Sequence, residues 1–192
     1  MRLICITGGI GAGKSVVSMI LRLMGYSVYD CDSRAKAIMQ TDVGVKSTLM
    51  DLFGADIFDE QGTLNSAEMA SRLFTSDEMR RSVNQVVHAA VRADLSDFAS
   101  GCRDICFVET AIPCTSHLDE MCDEIWMVDA PRELRLARAM NRDNVSAGMI
   151  ERRMRSQANE FECLPSDKCR SIVNDDIHSL IVQVDSLLSH SV

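Results

Sequence analysis

The sequence predicts an α/β protein, a three-layer sandwich in which helices cover both faces of a parallel five-stranded sheet. Three observations carry that reading. Five short runs, RLICIT, YSVYD, DICFVE, EIWMVD and RSIVN, are rich in Ile, Val, Cys and aromatics, as strands buried on both faces must be. Segments with helical spacing of apolar residues, such as 14–24 and 131–142, alternate with them. A glycine-rich loop joins the first run to the first of those helices.

Composition agrees with one folded domain. At 192 residues, with 46% hydrophobic and 25% charged residues, the chain can bury a sizeable core, and neither wholesale disorder nor a membrane protein is indicated. The net charge of -8 disfavours a general nucleic-acid binder but leaves room for a local anion site. The opening MRLICITGG is too short in its apolar part for a secretory signal or a membrane span, so a cytoplasmic protein is expected. None of the eight cysteines forms a C-x-x-C pair and several sit in apolar runs, which predicts reduced, mostly buried thiols. No repeat, low-complexity tract or linker interrupts the chain.

The first run leads into ITGGIGAGKSVV, where Gly8, Gly13, Lys14 and Ser15 fit G-x-x-x-x-G-K-[ST], with Gly9 and Gly11 inside the loop. Glycines let successive N–H groups turn inward around a β-phosphate, and the helix that opens near Lys14 adds its positive end. Lys14 would then bridge the β- and γ-phosphates of a nucleotide, and Ser15 would offer its hydroxyl to Mg²⁺. Gly8, Gly9, Gly11, Ala12, Gly13, Lys14, Ser15 and Val16 are the predicted nucleotide-binding set of a P-loop protein.

The second run ends in DCD. Asp30 and Asp32, two residues apart, share one face if the strand continues that far, and at the carboxyl end of a strand they would face the phosphate crevice. Two roles are open for Asp32 from the residues alone: accepting or orienting the proton of an acceptor hydroxyl, and capping the helix SRAKAIM. From Thr63 to about Ser100 no strand candidate occurs, while Val83, Val86, Val87 and Ala90 recur at helical spacing, so a helical insertion is expected. Glu109 ends the third run, as an acidic residue that orders Mg²⁺ through water or as a structural anion. After the fourth run, Arg135, Arg138 and Arg142 fall at i, i+3 and i+7, one helical face bearing three guanidinium groups for phosphate or simply for solvent.

These blocks, together with FGADIFDEQGTLN, LFTSDEMRRSVNQVVHAAV, VDAPRELRLARAMNRDNVS and IERRMRSQ, resemble the dephospho-coenzyme A kinase family over roughly residues 1 to 188. The resemblance implies a P-loop NTPase sandwich with a core of 1–62, 101–137 and 163–192, an acceptor-binding insertion over 63–100 and a lid region over 138–162. It implies ATP-dependent phosphorylation of the ribose 3′-hydroxyl of dephospho-coenzyme A, the last step of coenzyme A synthesis; with the acidic charge and the absence of an apolar span, a monomer or weak homo-oligomer without nucleic-acid or membrane partners is expected. Asp32 matches the family's acid–base aspartate, with Asp30 beside it. Asn84 and His88 match its acceptor-binding NxxxH element, while Arg138 and Arg142 match lid arginines that stabilise the transferring phosphoryl group. A packed or capping histidine is the alternative for His88. The chain departs from the family pattern at Ser66, Ala89, Thr115, Lys168 and Cys169, all in the acceptor or adenine shell. The alternatives are a P-loop kinase for another nucleoside or small alcohol, and a nucleotide-binding protein without catalysis.

Overall fold

The computed structural model describes residues 1–73 and 75–190. The chain runs β1 (Arg2–Thr7), α1 (Lys14–Leu23), β2 (Ser27–Asp30), α2 (Cys31–Thr41), α3 (Val43–Phe53), α4 (Ser66–Leu73) and α5 (Asp77–Ser100). It continues through β3 (Ile105–Glu109), β4 (Glu124–Asp129), α6 (Arg132–Asp143), α7 (Ala147–Ser156), β5 (Cys169–Val173) and α8 (Leu180–His190). Single 3-10 turns lie at Ala55–Ile57 and Ala158–Phe161. Two compact units result: Met1–Asp30 with Ala99–Val192, and Cys31–Phe98.

All five apolar runs of the sequence are strands of one parallel sheet, in the order β2-β3-β1-β4-β5. β1 is central because its residues 3–7 are buried and both its edges are paired: Cys5 stands opposite Val108 on one side and Ile125 on the other. Alternation along the strands puts Ile4, Ile6, Phe107, Trp126, Val128 and Ile172 on one face, where Val17 and Leu21 of α1 and Val184 and Leu188 of α8 close over them. Phe107 and Trp126 meet at 5.1 Å between ring centroids, and Tyr26 stands edge-on to Phe107. The indole N–H of Trp126 donates to Glu124, which also receives Arg2 at 2.6 Å, so the buried carboxylate is satisfied.

Local signals set the ends of α1. Gly13, at φ +99°, turns the chain into the helix. Gly25 turns it out: its N–H donates to Arg22 and that of Tyr26 to Leu21, a left-handed glycine stop that satisfies the last carbonyls. In the second unit Asp42 caps α3 by accepting from the Val45 N–H, and Arg72 draws Glu68, Asp56 and the Phe53 carbonyl together. Arg34 of α2 forms a two-pronged pair with Asp94 of α5, at 2.5 and 2.8 Å. Among the described residues no helix is long and apolar enough to cross a membrane.

The cysteine expectation needs one correction. Cys5, Cys31, Cys106 and Cys122 lie outside any disulfide and are buried, and Cys102 and Cys169 lie outside any disulfide and are half-buried, but Cys114 and Cys163 form a disulfide. Its partners are 49 residues apart and become neighbours, at 6.7 Å between Cα atoms, only because the chain leaving β3 runs beside the chain following α7. Closing a loop of that length restrains the unfolded chain by about 4 kcal/mol in the chain-entropy description. Replacing both cysteines by serine should therefore lower the unfolding free energy in urea by about 2–4 kcal/mol and raise m, because the unfolded chain expands.

Candidate active site

The loop between β1 and α1 is an open backbone cradle. Gly11, at φ +77°, packs so closely under α6 that an added Cβ would lie 2.1 Å from the Arg135 carbonyl oxygen. Gly13 contributes no side-chain cap to α1, which leaves that positive helix end to an incoming anion. The Lys14 ammonium folds over the loop, donating to the carbonyls of Gly8 at 2.9 Å and Gly9 at 3.4 Å. It is thereby held across the place where the phosphates of a nucleotide would enter. Ser15 and Val16 are exposed in the first turn of α1.

Three side chains from remote parts of the same unit fix the loop. Arg135 donates Nε–H to the Ile10 carbonyl at 3.1 Å. Gln157 accepts the Ile10 N–H at 3.1 Å and donates its own amide to the Ala111 carbonyl at 3.2 Å. Asn174 donates Nδ2–H to the Ala12 carbonyl at 2.8 Å, and its own N–H goes to Asp129 at the end of β4. Arg135 was legible as a member of the arginine face but not as a loop contact, and Gln157 and Asn174 only as members of longer runs, since contacts spanning 125 to 162 residues leave no local spacing.

The arginine face is divided by its partners. Arg135 faces the loop and also reaches Asp129 at 3.4 Å. Arg138 donates to the Asn174 carbonyl at 3.0 Å and to Asp176, so it braces the segment after β5. Arg142 is exposed and pairs with its neighbour Asp143, which also receives Arg153 at 2.8 Å. The guanidinium groups hold the Asp143 carboxyl below the usual carboxylate range.

Glu109 and Asp30 are register partners at the carboxyl ends of β3 and β2. Burial pushes the Glu109 carboxyl up, the Asp30 charge adds to this, and the Ser18 hydroxyl, Lys14 and Arg22 oppose it. Two carboxylates side by side at strand ends, near a lysine, form a donor set of hard oxygens whose repulsion a divalent cation would relieve. The strand does not continue to Asp32, which corrects the shared-face expectation. α2 begins at Cys31, so Asp32 lies within its first turn, next to the positive helix end, and is not its N-cap.

Asn84 and His88 sit one turn apart on α5 in the second unit, both half-buried. Thr115, one of the departures from the family pattern, binds a carboxylate: its N–H donates to Glu160 at 3.2 Å and its hydroxyl binds the same side chain.

The family model described as dephospho-CoA kinase matches residues 2–176. The dephospho-CoA kinase of Porphyromonas gingivalis is 40% identical over 180 residues, 93% of this chain and 89% of that protein. Among solved structures, one from Thermus thermophilus superposes with a TM-score of 0.83 at 26% identity, covering 100% of this chain and 98% of that one. The dephospho-CoA kinase of Campylobacter jejuni superposes with a TM-score of 0.69 at 19% identity, covering 98% and 97%, a likeness of fold.

The raised Glu109 carboxyl has a stability consequence. The folded state binds this proton more tightly than the unfolded chain, so the side chain's contribution is most favourable below its unfolded value of about 4.3 and is lost as pH rises through the folded value. Glu109→Gln should raise the melting temperature at pH 7, and the gain should disappear in scans near pH 4.

Proposed function

The chain belongs to the dephospho-CoA kinase family, and from that premise we propose that it transfers the γ-phosphoryl group of ATP to the ribose 3′-hydroxyl of dephospho-coenzyme A. The observation that carries this reading is the family match over residues 2–176, within which the G-x-x-x-x-G-K-S loop is intact. In the transfer the 3′-oxygen forms a bond to the γ-phosphorus, the bond from that phosphorus to the bridging oxygen breaks, and ADP leaves. The product is coenzyme A.

The residue assignments combine the family resemblance with the chemistry of each side chain. The loop N–H groups and the end of α1 hold the β-phosphate, and Lys14 moves from the Gly8 and Gly9 carbonyls to the phosphate oxygens, exchanging neutral acceptors for charged ones. Asp32 accepts the proton of the 3′-hydroxyl, and Asp30, Asn84 and His88 bind the acceptor. Arg138 and Arg142 stabilise the transferring phosphoryl group, with Arg135 holding the loop beneath it. Mg²⁺ would neutralise charge on the phosphates, held by the Ser15 hydroxyl and, through water, by Glu109. It needs few protein ligands there, because this ion keeps waters and takes phosphate oxygens. A cytoplasmic location is supported by the nucleotide co-substrate.

A coupled assay with ATP, Mg²⁺ and dephospho-coenzyme A tests the reading. Coenzyme A should form, and other nucleosides or small alcohols offered at equal concentration should be poor acceptors. Folded protein that yields no coenzyme A would overturn it. Asp32→Ala should lower kcat by about 10²–10⁴-fold while the Kd for ATP stays nearly unchanged.

A further inference from the structure

We infer that Gln157 is a positioning residue for phosphoryl transfer, locking the Ile10 peptide of the phosphate loop to the chain that leaves β3. The inference rests on the reading that this loop holds ATP, and it assigns a task to a side chain that touches no reacting atom. Gln157 ends α7 and precedes the turn Ala158–Phe161. Its amide is used at both ends: the oxygen accepts the Ile10 N–H and the NH₂ donates to the Ala111 carbonyl. Both partners are backbone groups of fixed polarity, so an amide alone among the common side chains of this length satisfies both at neutral pH. A glutamate could accept from Ile10 but, once ionised, could not donate to Ala111.

Ile10 is the point at which such a lock has most effect. It stands between Gly9 and Gly11, which restrict the backbone least, and it is held on its carbonyl side by Arg135. With Gln157 on its N–H, both hydrogen-bonding groups of this residue are committed, and the orientation of the neighbouring loop N–H groups follows.

The same segment is tied to the chain after β3 twice more. Glu160 binds Thr115 and Cys163 is bonded to Cys114. Residues 157, 160 and 163, three apart, thus meet 111, 115 and 114. This row of contacts makes the shape of the phosphate loop depend on the docking of the segment that follows α7.

Gln157→Ala, Gln157→Glu and wild-type protein would be compared in the coenzyme A assay and by amide hydrogen exchange. In Gln157→Ala the Ile10 N–H should exchange at least about tenfold faster, since its acceptor is gone. Its kcat should fall about 10- to 100-fold, with KM for dephospho-coenzyme A changed less than about twofold. Gln157→Glu should be impaired at pH 8 and recover relative to wild type as pH falls towards about 4.3, the ordinary glutamate value, where the protonated acid regains the donor to Ala111. Unchanged Ile10 exchange in Gln157→Ala would overturn the lock; kcat within twofold of wild type, or a Gln157→Glu profile parallel to wild type, would overturn its role in transfer. Wild-type protein that forms no coenzyme A would instead overturn the functional reading, while the exchange measurement still decides the lock.

Discussion

A phosphate loop must keep its backbone open, and a run in which Gly8, Gly9, Gly11 and Gly13 are four of six residues cannot hold one shape by its own torsional preferences. The restraint comes from outside. Arg135 and Gln157 take the carbonyl and N–H of Ile10, and Asn174 takes the carbonyl of Ala12. These three side chains reach the loop from the start of α6, the end of α7 and the end of β5. The parallel sheet brings their origins together, because β4 and β5 present their carboxyl ends beside that of β1. The glycines supply freedom of approach and the clamp removes the freedom that is not wanted.

Charge is arranged in the same spirit. The chain is acidic overall, yet arginines gather along α6 and α7, where Asp129, Asp143 and Asp176 hold them in place. Exposed pairs of this kind add little stability, so their value lies in orientation. At the other side of β1, Glu109 and Asp30 stand together at strand ends despite the cost of burying one carboxylate beside another.

Much of this was legible in the sequence, for reasons that can be named residue by residue. Strands buried on both faces are nearly continuous apolar runs, so β1 to β5 could be read directly and agree with the structure to within about one residue. Lys14 and Ser15 were legible because phosphate chemistry demands them at a fixed distance from Gly8. DCD misled about geometry: a spacing of two means one face only while a strand persists, and β2 stops at Asp30. The cysteine expectation failed only at Cys114 and Cys163, because pairing depends on which loops become neighbours and not on spacing along the chain.

The sequence by itself determined the sheet's strands, the phosphate loop and the type of chemistry that the loop serves, since each is written in contiguous residues under local steric and electrostatic rules. Tertiary structure alone decided the strand order, the disulfide and the division of labour among Arg135, Arg138 and Arg142. It also decided that Gln157 and Asn174 shape the loop. Arg135, Gln157 and Asn174 act on the loop through hydrogen bonds of about 3 Å to residues more than a hundred positions away, and a bond of that range exists only after the chain has folded.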